Sequence, residues 1–351
     1  MGGSLNLDQR EAIASAWTRQ GIDYLHQPQG ASLSIPWFEA AINLRSHFPL
    51  DQNRGYRYGL AAGWMNRGEA LAQLGGEENL KESIRSFDHA IEQLPYLPVE
   101  ERIEFRQRHI IAWSNRGITL LQQGQNLNEA VRSFQNAHSF LFEELPDFFF
   151  LKIGIETNLA TAQFQSSGDQ YQAETQARAI LLFVEPYEST DFRLTEISLK
   201  ARHLFCLSIG YQADSQRHTS PISSDRISEV TDVLEKGIHL ALHWKNQGND
   251  SFLPWAQTLF CFGLQFYRVY LPQFLAEFVT EFLKEEALPG SPSLDQLILE
   301  SLRMAESTLY HQSSQKNLAA ENIASTQSLI ERYHDLALVR KQYEVKIGLF
   351  P

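Results

Sequence analysis

Apolar residues recur at three- and four-residue spacing along almost the whole chain, and no run shows the strict alternation of a half-buried strand. The pattern predicts helices in consecutive pairs at 8–26 and 33–47, 57–74 and 79–94, 102–123 and 126–144, and 148–167 and 169–184. Gln27-Pro28-Gln29-Gly30, Gly75-Gly76, Gly124 and Gly168 mark the turns within the pairs, and Pro95, Pro98, Pro146 and Pro186 mark exits. A further long pair is expected at 191–212 and 225–246, joined by the polar loop Ser215–Ser224. Ser223 or Ser224 is placed to cap its second helix. The stripe Phe205, Leu207, Val230, Val233, Leu234 and Leu240 supplies its apolar face. After the break Leu288-Pro289-Gly290-Ser291-Pro292, helices are expected at 294–311 and 317–345.

The pairs repeat one another. Trp113, Asn115, Arg116, Gly117, Leu120, Gly124, Phe134 and Ala137 are matched by Trp64, Asn66, Arg67, Gly68, Leu71, Gly75, Phe87 and Ala90. Trp17, Gly21, Tyr24, Phe38 and Ala41 give a looser third copy. A small residue where two helices touch, ringed by large apolar ones, suits face-to-face packing. The small residues Gly21, Gly68, Gly117 and Ala160 lie 47, 49 and 43 residues apart. Internal repetition of this period is the mark of stacked helix pairs. The expected fold is all-α: a right-handed superhelix of antiparallel helix pairs, closed by a C-terminal helical cap, since a stack leaves an apolar end to cover. The expected divisions are 1–190 for four pairs, 191–250 for a degenerate fifth, and 251–351 for the cap.

Residues 57–95, 106–146 and 152–186 resemble tetratricopeptide repeats, whose minimal unit takes about 34 residues. Ser83, Phe87, Ala90, Ile91 and Pro95 keep that family's spacing. Asn158-Leu159-Ala160, Gly168-x-x-Tyr171, Ala173-Glu174 and Ala177-Arg178-Ala179 are similar to the kinesin-light-chain variety of repeat, while the two units before it carry Asn-Arg-Gly instead of Asn-Leu-Ala. The resemblance implies a non-enzymatic adaptor or scaffold. One concrete form is a bacterial kinesin light chain, a cytoskeletal protein that accompanies bacterial tubulin filaments and contacts membrane.

In stacked helix pairs the first helices line a concave groove. Two residues before each small marker stand Arg19, Asn66, Asn115 and Asn158; one after stand Ile22, Glu69, Ile118 and Thr161; five after stand His26, Gln73, Gln122 and Gln165. Asn and Gln each offer a donor and an acceptor, which suits the main chain of an extended peptide. The family resemblance assigns such an Asn to the ligand's backbone. Arg67 and Arg116 are expected to pair with acids between units. No ring of lysines suited to a C-terminal carboxylate appears. The expected partner is therefore a protein, either a filament subunit or an extended peptide, and a peptide-binding signalling or regulatory sensor is the alternative of the same class.

Charge and composition narrow the remaining classes. A net charge of −12 supplies no positive field for nucleic acid. Cys206 and Cys261 sit in apolar helical runs and read as free buried thiols of a reducing cytoplasm. The N-terminus lacks a secretory pattern, and Asn6 occupies the place where myristoylation wants Ser or Thr. The stretch 252–275 carries a single charge, Arg268, amid crowded aromatics. Gln257, Gln265, Arg268, Gln273 and the breakers Pro254 and Pro272 spoil a membrane-spanning reading, and the stretch is expected to be a covered central helix of the C-terminal part; an exposed aromatic surface for a partner or lipid is the alternative. There is no phosphate-binding glycine loop, nucleophile elbow or CxxC pair, so neither catalysis nor a cofactor is expected. An enzyme reading would have to rest on a metal held by Glu235, His239 and His243, which share a helix face but lack a further ligand. Oligomeric state is left open.

Overall fold

The first helix, α1 (Leu7–Leu25), begins at a reciprocal cap in which Asn6 Oδ1 accepts from the Gln9 amide at 2.8 Å and Gln9 Oε1 accepts from the Asn6 amide at 3.1 Å. The computed structural model describes residues 6–141, 148–216, 222–283, 292–313 and 322–331, and among these there are helices and turns and no strand. Two compact units divide the chain, 1–169 and 170–351.

In the first unit α1 is followed by α2 (Ala31–Ser46), α3 (Arg54–Leu74), α4 (Glu77–Gln93), α5 (Ile103–Gln123), α6 (Leu127–Ser139) and α7 (Phe149–Ser167). Each helix packs on the next, and the odd-numbered helices also touch in series, α1 on α3, α3 on α5 and α5 on α7. The turns come where the glycines are: Gly75, Gly124 and Gly168 have φ of +64°, +71° and +70°, which an L side chain adopts only with strain. α6 stops at Ser139 rather than running to 144, and Phe140 turns aside to pack on the His109 ring at 4.5 Å. The expected end of that helix and Pro146 fall at 142–147, outside the described residues.

The repeated small residues do the same job three times. A Cβ placed on Gly21 would lie 2.5 Å from the Phe38 ring, one on Gly68 2.9 Å from Phe87, and one on Gly117 2.8 Å from Phe134. All three phenyl rings are fully or almost fully buried. Each odd helix thus seats a ring of its partner in the gap a side chain would fill.

Two arginines tie neighbouring pairs together in one pattern. Arg67 on α3 donates from Nε to Glu39 on α2 at 3.0 Å and from Nη1 to Ser86 on α4 at 2.7 Å. Arg116 on α5 donates from Nε to Asp88 on α4 at 2.7 Å and from Nη1 to Ser133 on α6 at 2.8 Å. Both serines pass their own proton to the carbonyl four residues back. At the start of the unit, buried Arg45 gathers α1 and α3 by donating to Glu11 at 2.7 Å, Thr18 at 2.9 Å and the Gly59 carbonyl at 3.3 Å.

The second unit contains α8 (Gln170–Val184), α9 (Phe192–Gln216), α10 (Ser224–Asn246), α11 (Leu253–Tyr270), α12 (Leu275–Leu283), α13 (Pro292–Ser313) and a helix at 322–331. α8 packs on α9, α9 on α10, α10 on α11, and α13 on α11 and α12. Ser223 caps α10 by accepting from the Arg226 amide. The expected stripe is buried at Phe205, Val230, Val233, Leu234 and Leu240, with Leu207 half-buried. Arg202 on α9, with no solvent exposure, donates to Glu188 at 2.8 Å and Glu185 at 3.1 Å in the turn after α8.

The aromatic stretch is two helices rather than one. Pro272 cannot donate an amide to α11, which ends at Tyr270, and a short turn at Pro272–Phe274 redirects the chain into α12. Phe252, Phe260, Phe266, Tyr267, Phe278 and Phe282 are buried, and the Phe260 and Phe278 rings stack at 5.3 Å. Gly263 admits this: a Cβ there would meet Phe278 at 2.4 Å. These rings fill a core, and only Phe274 and Val269 of the stretch are exposed large hydrophobics. Parts of the expected 215–224 loop, the 288–292 break and the 317–345 helix lie outside the described residues.

Candidate functional site

Asn66, Asn115 and Asn158 sit on α3, α5 and α7, the helices that touch in series, each two residues before the small residue that seats its helix. All three are half-exposed. Among the described residues none of their side-chain amides has a hydrogen-bond partner. The adjacent arginines, by contrast, are fully engaged between the pairs. Seating of Gly68, Gly117 and Ala160 against buried neighbours fixes the helix rotation, and a two-residue offset on a helix turns the amide well away from that contact.

The other rows follow the same registers. Glu69 is exposed, and Ile118 and Thr161 are half-exposed at the equivalent places on α5 and α7; Gln73, Gln122 and Gln165 are exposed one turn further on. The Thr161 hydroxyl donates back to the Thr157 carbonyl at 2.9 Å. On α1 the row begins with exposed Arg19, half-buried Ile22 and exposed His26. Glu69 keeps access to solvent, yet crowding by its surroundings pushes its carboxyl above the ordinary range, partly offset by His26. The rows on α5 and α7 are neutral, while the charges collect on α1 and α3.

The remaining candidates are dispersed. Glu235 accepts a hydrogen bond from the Tyr267 hydroxyl, His239 lies 3.3 Å from Glu281, and His243 shares a 3.0 Å contact with Gln247. No group of three or more metal-ligating side chains occurs among the described residues. Glu235, His239 and His243 therefore do not form the metal set that an enzyme reading needs, because each side chain turns to a different neighbour. No protein-family model matches the chain, and the search of curated proteins gives no match. Among the described residues no helix is long and apolar enough to cross a membrane. Cys206 is wholly buried, which pushes its thiol up to about 12, and Cys261 is half-buried with its thiol also raised. Both are held as unreactive thiols.

Sequence reasoning missed one arrangement. Ser224, Ser228, Thr231 and Glu235 follow one face of α10, and Glu277 and Glu281 one face of α12, and tertiary packing sets the two faces across a cleft. The i, i+4 carboxylates of α12 were a visible signal, but nothing local told which helix they would face.

Proposed function

We propose that residues 1–169 form a tetratricopeptide-type solenoid whose odd-numbered helices present a polar groove to an extended protein segment, and that the protein is a non-enzymatic adaptor. The observation that carries this reading is the row Asn66, Asn115 and Asn158, three equivalent amides without a hydrogen-bond partner among the described residues, while the arginines beside them are used in packing. An amide so placed satisfies one main-chain N–H and one C=O of a ligand. The neutral rows on α5 and α7 suit a ligand segment of small or uncharged side chains. At the α1–α3 end, a basic side chain of the ligand would relieve the desolvated Glu69 carboxylate.

The resemblance of Asn158–Ile180 to kinesin-light-chain repeats supports a filament subunit as the partner, with the bacterial tubulin filament as the specific case. Co-sedimentation with such filaments tests it, run beside the triple variant Asn66→Ala, Asn115→Ala, Asn158→Ala. Pelleting of the parent and loss of pelleting by the variant is the expected result. Equal pelleting of both places the contact outside the groove, and no pelleting of either removes the filament partner. A separate arm with anionic vesicles tests membrane contact directly.

A further inference from the structure

The second unit holds a cleft of about 500 Å³ between α10, the end of α11 and α12, within the size range of small-molecule sites. Its floor is aromatic and its rim is polar. Phe278 and Tyr267 are buried and stacked at 4.4 Å, and Phe274 stands half-exposed at the mouth. One wall is the α10 stripe that runs from the hydroxyls of Ser224, Ser228 and Thr231 down to Glu235. The Tyr267 hydroxyl donates to Glu235 and so locks that carboxylate against the floor. Opposite, Glu277 and Glu281 project from successive turns of α12.

The charge balance of the cleft is one-sided. Among the described residues no lysine or arginine lines it. Among the described residues Glu277 has no ion-pair partner, and Glu281 is met only by His239 at 3.3 Å. The field of all three carboxylates converges on Tyr267, whose phenol is held well above its ordinary range by burial first, then by the Glu235 hydrogen bond and the charges of Glu281 and Glu277. A concavity with carboxylates on its walls and the exposed Phe274 ring at its mouth is complementary to a cation that brings apolar surface with it: the ammonium gains ion pairs with Glu277 and Glu281, and the methylenes cover the exposed phenyl carbon of Phe274. A bare metal ion brings no methylenes to cover that carbon, and an anion would be repelled.

We propose that this cleft binds an alkylammonium group, the primary-amine end of an aliphatic chain, supplied either by a free polyamine or by a lysine side chain. The site lies wholly within 170–351 and does not depend on the groove of the first unit. Calorimetric titration of the full chain tests it with spermidine and with N-acetyl-lysine methylamide, beside 1,4-butanediol as the uncharged control. Saturable binding of an amine and none of the diol is expected. The double variant Glu277→Gln, Glu281→Gln should weaken that binding at least tenfold, and Phe274→Ala should weaken it severalfold. All three positions are exposed, so the folded state is retained and circular dichroism checks it. Glu92→Gln, an exposed carboxylate of α4, should leave the affinity unchanged. Tighter binding of spermidine identifies the free amine as the source, and tighter binding of the lysine derivative identifies a protein side chain. Absence of saturable amine binding, equal binding of the diol, or undiminished binding by the double variant overturns the proposal.

Discussion

Asn115 and Arg116 are neighbours in sequence with opposite fates, because a helix turns about 100° between them. Arg116 reaches Asp88 and Ser133 and is spent on packing, while the Asn115 amide has no partner among the described residues. Asn115→Ala should therefore leave the melting temperature within about 2 °C, a surface change being worth about ±0.5 kcal/mol, and weaken a groove ligand. Thermal melting together with co-sedimentation checks both halves. A second residue-scale consequence concerns His203, which is largely buried on α9 beside the Trp255 ring and held below its ordinary value by that burial. The unfolded chain takes up a proton near pH 6.5 that the folded chain resists, so stability falls as pH drops from about 6.5 toward the folded value. His109, lowered by burial for the same reason, adds to the same slope. His203→Phe keeps an aromatic ring by Trp255 and should flatten the dependence in part, as read from urea midpoints between pH 5 and 7.5.

At the scale of helices, the recurring joint is a phenyl ring seated on a glycine. Phe134 is wholly buried, and Phe134→Ala should cost about 3–5 kcal/mol as large-to-small core changes do. Gly117→Ala forces its Cβ to within 2.8 Å of that ring and should cost about 1–3 kcal/mol by displacing it. The two changes share one space, so the double variant should be less destabilised than the sum, a coupling that a double-mutant cycle from denaturant unfolding measures. In the second unit the same device appears in a less regular setting. Gly237 admits Leu259 of α11, and Gly263 admits Phe278 of α12. The sequence there offers no repeat to advertise the joint.

For the whole molecule, each compact unit has its own buried aromatic centres, Phe38, Phe87 and Phe134 in one, Phe260, Phe278 and Phe282 in the other. Phe134→Ala should accordingly speed amide hydrogen exchange in α5, α6 and α7 and leave the protection of α10, α11 and α12 unchanged, since local opening follows local contacts. Helix content and the turns at Gly75, Gly124 and Gly168 were legible in the sequence, because periodicity and glycine preference are local properties. The Gly117–Phe134 joint was legible too, since repetition turned a tertiary contact into a pattern. The amide row of Asn66, Asn115 and Asn158 could be placed on equivalent turns for the same reason, and the pairing of the adjacent Arg67 and Arg116 with acids was expected too, though which acids, Glu39 and Asp88, was not. What the sequence left undecided is what depends on partners distant along the chain. Burial of the 252–282 aromatics, the turn of Glu235 toward Tyr267 instead of the nearby histidines, and the facing of Glu277 and Glu281 across a cleft were all decided by tertiary packing. A local pattern tells which side of a helix is apolar, but only the packed chain determines what that side meets.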